Sequence, residues 1–108
     1  MLEEKNNIGI KYDDDKERYD LIVYEFIEQM AKVMTKGAYK YAPWNWITLD
    51  KARIVAALQR HNAAYMMKET IDMESQCSHL AHIACNAMML YYKDLYGDIS
   101  PNEVQNLD

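Results

Sequence analysis

Residues 80–92, Leu-Ala-His-Ile-Ala-Cys-Asn-Ala-Met-Met-Leu-Tyr-Tyr, are apolar on every side of a helix except for one polar row, His79, His82 and Asn86. At about 100° per residue these three side chains fall within an arc of roughly 60° and point into whatever the helix packs against. A helix that is apolar all round is an interior helix. Each polar group held inside costs roughly 1–3 kcal/mol if it is left unpaired, so the row is either a structural hydrogen-bond network or the floor of a site. His61 lies on the preceding predicted helix, and all three histidines can therefore converge on one place.

A chain of 108 residues is expected to form one domain with a core of its own, yet small enough that its outermost helices want a further surface to cover them. No apolar run reaches the roughly 18 residues of a membrane span. The opening Glu3, Glu4, Lys5, Asn6 and Asn7 do not have the form of a signal peptide, so the expectation is a cytoplasmic protein with no membrane partner. Cys77 and Cys85, eight positions apart, stand about 12 Å from each other along one helix. That is too far for a mutual disulfide. Both are read as reduced thiols, Cys85 as a small core residue.

The net charge of −5 argues against general nucleic-acid binding. The charge is uneven, however. From Lys32 to Arg60 the bases Lys32, Lys36, Lys40, Lys51, Arg53 and Arg60 face the single acid Asp50, and Tyr39, Tyr41, Trp44 and Trp46 lie in the same stretch. Cations mixed with flat rings suit a ligand that carries phosphate and a base, although such aromatics also serve simply to pin a loop to a core.

Along the chain, residues 1–19 show no helical period and read as an extended arm. A helical domain spans 20–97, and 98–108 reads as a polar tail. The first helix is predicted from about Val23 to Lys36, with Phe26, Ile27, Met30, Val33 and Met34 on its apolar face and Gly37 as a left-handed stop. Residues 38–49 form a loop broken by Pro43. Thr48 or Asp50 caps a second helix that runs to about Lys68, with Ile54, Leu58, His61 and Tyr65 on one face. A third helix covers about Cys77 to Tyr96 and stops at Gly97. Three helices of this kind make an open all-α bundle with a poorly covered seam, and self-association is the simplest cover. A homo-oligomer is the expectation.

His79 and His82, at i and i+3, can share a metal, with His61 as a third ligand and Glu69, Asp72 or Glu74 nearby. Arg60, His61, His79, His82 and Asn86 together carry more polarity than a small core needs, and their donors favour an anion. On the first helix Glu25 and Glu28, also at i and i+3, can hold Mg²⁺ against a phosphate or be a solvated face. The three glycines, Gly9, Gly37 and Gly97, are scattered, so there is no glycine-rich phosphate loop.

Lys11-Tyr12-Asp13 with Lys16, Asp20-Leu21-Ile22, Gly37-Ala38 with Lys40-Tyr41, Asn45-Trp46, Arg60-His61, Asp72 with Glu74, and His79-Leu80-Ala81-His82 with Asn86 occur in this order. Over about residues 11–92 the chain thereby resembles the small phage proteins described as dATP/dGTP diphosphohydrolase N-terminal domains. That family in turn is similar to the MazG-type all-α nucleotide pyrophosphohydrolases. The resemblance implies a small MazG-like bundle of three main helices completed by oligomerisation, a purine nucleotide as ligand and, as location, the cytoplasm of an infected bacterium. MazG-type enzymes hold Mg²⁺ on two adjacent glutamates with a third three residues on, and on a later helix a glutamate followed three residues on by an aspartate. At the corresponding places this chain reads Arg60-His61-Asn62-Ala63-Ala64 and His79-Leu80-Ala81-His82.

Since Mg²⁺ prefers oxygen ligands, this exchange of acids for bases points to a nucleotide-binding protein that does not hydrolyse its ligand. Such a sponge would sequester a nucleotide, for example a host immune signal, in an anti-defence role. On this reading Arg60, His61, His79 and Lys40 address phosphate or ribose, Trp44 or Trp46 stacks on the base, and His82 with Asn86 orients the others. No resident metal or cofactor is expected. The alternative is a dATP/dGTP diphosphohydrolase that uses Glu25, Glu28 and Glu74 around Mg²⁺ or Mn²⁺, with His61, His79, His82 and Glu74 as the metal set. A helical oligomer without a ligand is the third.

Overall fold

The computed structural model describes residues 9–105, so residues 1–8 of the expected arm and 106–108 of the expected tail lie outside the described residues. Three long helices dominate: α1, Tyr24–Lys40; α2, Lys51–Met66; and α3, His79–Tyr96. A fourth, α4, is a single turn at Pro101–Val104. Among the described residues the only β pairing is an isolated bridge between Ile71 and Ser78. The chain is an all-α bundle.

The ends of the helices follow local chemistry, not always at the expected residue. Gly37 does not stop α1: the helix continues through it to Lys40, and Tyr41 N–H closes the last turn on the Gly37 carbonyl at 3.0 Å. Ala38, Tyr39 and Lys40 are all compatible with helix, and the break comes where Pro43 disfavours helical backbone at Ala42. Asp50 occupies the position before α2, but its carboxylate makes no capping bond, and neither does that of any other side chain there. The left-handed residue after α2 is Lys68, at φ 73°. At α3 the Ser78 hydroxyl accepts from Leu80 N–H at 3.1 Å, and Gly97, at φ 65°, ends the helix. The stretch read as a polar tail contains α4, whose Ser100 and Glu103 form a reciprocal capping box after which Pro101 is well placed.

The central member of the bundle is α3. At one end of α1, Lys40 pairs with Glu74 at 2.7 Å, and further back Cys85 Sγ lies 3.4 Å from the Met30 carbonyl, so α1 runs antiparallel to α3. Likewise His61 meets His79 at one end of α2 while Lys51 pairs with Asp94 at the other. Both outer helices pack on α3 and hardly touch each other. The molecule is correspondingly flat, 57 × 43 × 23 Å.

The core between α1 and α3 is small, with Val33, Cys77, Ala81 and Cys85 buried and Met30, Met34 and Met89 packed around them. Trp46 and Ile47 are folded in by a 3₁₀ turn at Asn45–Thr48, where the Trp46 ring meets Tyr92 edge-on at 5.3 Å. The buried Lys93 ammonium donates to the Ile47 carbonyl and, at 2.9 Å, to Asp98. Both cysteines are free, as expected, and Cys77 is buried along with the expected core residue Cys85. Burial pushes the Cys85 thiol up to about 11, which leaves about one thiolate in a thousand at pH 8. Cys85 is therefore expected to resist iodoacetamide in the native protein at pH 8 for hours and to alkylate within minutes in guanidinium, as read by intact mass. Rapid native labelling of Cys85 would contradict this packing.

Candidate functional site

The polar row on α3 faces α2. His79 and Asn86 are buried and His82 is half-buried, because the third helix turns its remaining sides toward α1 and outward. His61, half-buried on α2, meets them. Its Nδ1 lies 2.8 Å from Nδ1 of His79, and its ring stacks on His82 with centroids 4.2 Å apart and planes 8° from parallel. The three histidines do converge. Asn86 stands one turn further along and donates to the His82 carbonyl at 2.9 Å, so its amide supports its own helix.

The loop between α2 and α3 closes over this cluster. Asp72 N–H donates to the Cys77 carbonyl at 2.8 Å and His79 N–H to the Thr70 carbonyl at 2.9 Å, which folds residues 70–79 back on themselves. Lys68, just before the fold-back, and Gln76, within it, both adopt positive φ. Within it, Ser75 N–H donates to the Asp72 carboxylate at 2.8 Å, and Ser75 Oγ lies 2.7 Å from His82 Nε2. The same Oγ accepts from Cys77 N–H at 3.2 Å. With one lone pair and its proton still available, this hydroxyl can either accept from His82 Nε2–H or donate to a bare Nε2, according to the imidazole tautomer. Glu69 Oε2 stands 3.6 Å from His79 Nε2, and Asp72 Oδ2 stands 3.7 Å from His82 Nε2.

Electrostatics favour neutral imidazoles here. Burial lowers the His61 pKa first, and the neighbouring His82 and His79 lower it further. For His82, burial outweighs the opposing pull of Asp72. Burial alone would raise Asp72, but the hydrogen bonds from Ser75 and the facing imidazoles bring its carboxyl below the ordinary value. The result is that His61 and His82 favour the neutral ring beside an ionised Asp72 carboxylate.

Three cations lie on the helices and loop around this cluster. Lys36 donates to the Ser75 carbonyl, Lys40 is paired with Glu74, and Arg60, next to His61, is exposed with no hydrogen bond or ion pair among the described residues. Tyr65, one turn beyond His61, lines a recess of about 210 Å³ with Met66, Lys68 and Thr70.

Other expected site residues lie elsewhere. Trp46 is buried against Tyr92, and its exposed neighbour Trp44 is 5.9 Å from it, ring to ring. Tyr92 is 10 to 13 residues along α3 from His82 and His79, about 15–20 Å. Glu25 and Glu28 are exposed and border an open concavity of about 720 Å³ at the first turn of α1. From Glu28 to Lys36, which touches the loop, is a further 12 Å or about two turns. The structure thus gathers Arg60, His61, His79, His82, Lys40 and Glu74 at one end of the bundle, but not the tryptophans, Glu25 or Glu28. Ser75 and Lys36 were not singled out in the sequence. The Asp72-x-x-Ser75 spacing, in which a carboxylate accepts from the backbone three residues on, is the signal that points to the first.

Comparison with known proteins identifies a family and a phage relative. The family described as dATP/dGTP diphosphohydrolase, N-terminal, matches residues 6–99. A protein of Salmonella phage PMBT28, named dATP/dGTP diphosphohydrolase, is 33% identical over 84 residues, which are 78% of this chain and 29% of that protein. This chain therefore spans under a third of the relative's length. No solved structure matches the chain.

Proposed function

The chain belongs to the dATP/dGTP diphosphohydrolase N-terminal family, and from that premise we propose that it binds a purine deoxynucleoside triphosphate at the histidine end of the bundle as part of a diphosphohydrolase-type reaction. The observation that carries the reading is that the family match spans the whole histidine cluster and its loop. The relative's name speaks for turnover, and nothing in the comparisons speaks for holding the nucleotide intact.

In this proposal Arg60, Lys36 and Lys40 face the triphosphate, and His61 and His79 contact it from below. Tyr65 is the aromatic side chain placed to take the base, because Trp44 and Trp46 stand at the far end of α3 and would reach the phosphates only from another copy of the chain. Attack of water on the α-phosphorus breaks the bond to the β-phosphate, releasing monophosphate and pyrophosphate. His82, neutral and held at Nε2 by Ser75, takes the proton of that water on Nδ1, in the tautomer whose Nε2–H donates to the Ser75 hydroxyl. The apolar strips left open on α1 and α3 are covered in a homo-oligomer. The proposed location is the cytoplasm of the infected cell, and no helix among the described residues is long and apolar enough to cross a membrane.

Mg²⁺, implied by the resemblance to MazG-type enzymes, does not fit the donors gathered here. Two imidazoles and one carboxylate are a poor match for an ion that demands an octahedron of oxygens. No step is assigned to it.

The test is incubation of the purified chain with dATP, dGTP and other nucleotides, with and without Mg²⁺ or Mn²⁺, followed by heat denaturation and chromatography of what is released. Monophosphate plus pyrophosphate from dATP or dGTP is the expected result. Recovery of intact nucleotide would replace turnover by sequestration, and recovery of nothing would leave a helical oligomer without this ligand.

A further inference from the structure

We propose that His61, His79 and Asp72 form a binding site for one borderline transition-metal dication, of the Co²⁺ or Zn²⁺ class, with Glu69 as the group that orients His79. The three residues come from α2, α3 and the loop between them, and each offers one ligand atom such that all lie within 4.8 Å of one another. Two further observations bear on this.

The first is the meeting of two ring nitrogens, Nδ1 of His61 and Nδ1 of His79, at 2.8 Å. Two imidazole nitrogens bound at about 2.0–2.1 Å to one ion stand about 2.9 Å apart at a right angle and about 3.3 Å apart at the tetrahedral angle. The observed spacing needs to open by only a few tenths of an ångström to admit a cation. Otherwise one of the rings must keep a proton between the two nitrogens.

The second is the other nitrogen of His79. This residue is 4% exposed, and its Nε2 is buried with no hydrogen-bond partner among the described residues. The group closest to satisfying it is the Glu69 carboxylate at 3.6 Å. A histidine that donates its outer N–H to a carboxylate and directs its inner nitrogen at an ion is the usual arrangement around a protein-bound metal. Glu69 closing by about half an ångström completes it.

The donor set is two nitrogens and one oxygen, which suits Zn²⁺, Co²⁺ or Ni²⁺ and not Mg²⁺. It also differs from the set anticipated from sequence. Glu74 is engaged with Lys40 on the exposed side, and His82 Nε2 is engaged by Ser75, so Asp72 takes the place of both. This reverses the sequence-based expectation of no resident ion. The site does not depend on the nucleotide reading, and its test is made without nucleotide.

Chelator-treated protein is titrated with Co²⁺ and followed by visible absorption, with Zn²⁺ competition and calorimetry, and with Mg²⁺ in parallel. The expected result is one Co²⁺ per chain with micromolar or tighter affinity, displaced by Zn²⁺ and indifferent to millimolar Mg²⁺. Asp72→Asn and His79→Gln are expected to weaken it at least tenfold, and Glu69→Gln by about 10- to 100-fold. Circular dichroism checks that the variants remain helical. Where a histidine variant loses helix, Asp72→Asn, on the loop, decides alone. Absence of Co²⁺ and Zn²⁺ uptake by the wild-type chain would mean that the two histidines share a proton and nothing more. Uptake unchanged in Asp72→Asn would place the ion on other residues, and either result overturns the proposal.

Discussion

Arg60→Met is expected to weaken binding of dATP or dGTP by about 10- to 100-fold while leaving the melting temperature unchanged. Arg60 is exposed and engages no side chain or carbonyl among the described residues, so removing its charge strands nothing in the empty protein. What it loses is a charge-assisted bond to phosphate, worth about 1.5–3 kcal/mol. His79→Gln should behave differently. His79 is 4% exposed and holds His61 through a 2.8 Å contact, so its replacement leaves a half-buried imidazole without its partner at a cost of about 1–3 kcal/mol. For a domain of this size each kcal/mol moves the melting temperature by roughly 4–8 °C. Affinity and stability therefore fall together in His79→Gln and separate in Arg60→Met. Calorimetric titration and thermal melts of the two variants give the comparison. Wild-type affinity in Arg60→Met would move the phosphates away from this end of the bundle.

The helices were legible in the sequence because their apolar faces repeat at the helical period and two of the three have ordinary stops near where they end. The convergence of His61 on His79 and His82 was also legible, since a polar row on a helix that is otherwise apolar has only a neighbouring helix to face. Three features were not. Gly37 looks like a terminator but has ordinary helical neighbours, and a glycine ends a helix only where the chain needs positive φ, a need met here by Lys68 and Gly97. The aromatic loop looked like part of the site because it is close to basic residues in sequence. Its 3₁₀ turn instead delivers Trp46 and Ile47 to Tyr92 and Lys93, at the opposite end of α3 from the histidines. The closing loop was the hardest to foresee, because what places Asp72 and Ser75 over the cluster is a set of backbone bonds, Asp72 to Cys77 and His79 to Thr70. Such bonds leave no apolar period to read. Glu25 and Glu28, paired at i and i+3, sit on the solvated face that was one of their two readings, whereas Glu69 and Asp72 are carried beside His79 and His82 by the loop.

In the proposed homo-oligomer Met88→Asp is expected to separate the copies into monomers, whereas Met89→Asp should unfold the chain itself, although the two residues are adjacent. Met89 packs against the buried cluster of Val33, Cys77, Ala81 and Cys85, and a carboxylate there has no partner. Met88 is turned about 100° away and lies on a strip with Leu80, Tyr91 and Leu95, which are 40%, 67% and 56% exposed, Met88 itself being 39% exposed. At the start of α1, Tyr24, Phe26 and Ile27, with Val23 just before them, are exposed as well. Apolar strips of this extent on a thin molecule mark a contact surface. Burying an unpaired carboxylate in it costs several kcal/mol, or about 100-fold or more in association. Light scattering should give an oligomer for the wild-type chain and a helical monomer for Met88→Asp, with Met89→Asp losing its helical circular dichroism at temperatures where the other two retain it. A wild-type monomer at tens of micromolar would remove the oligomer, and an intact oligomer in Met88→Asp would move the interface from α3 to the open face of α1.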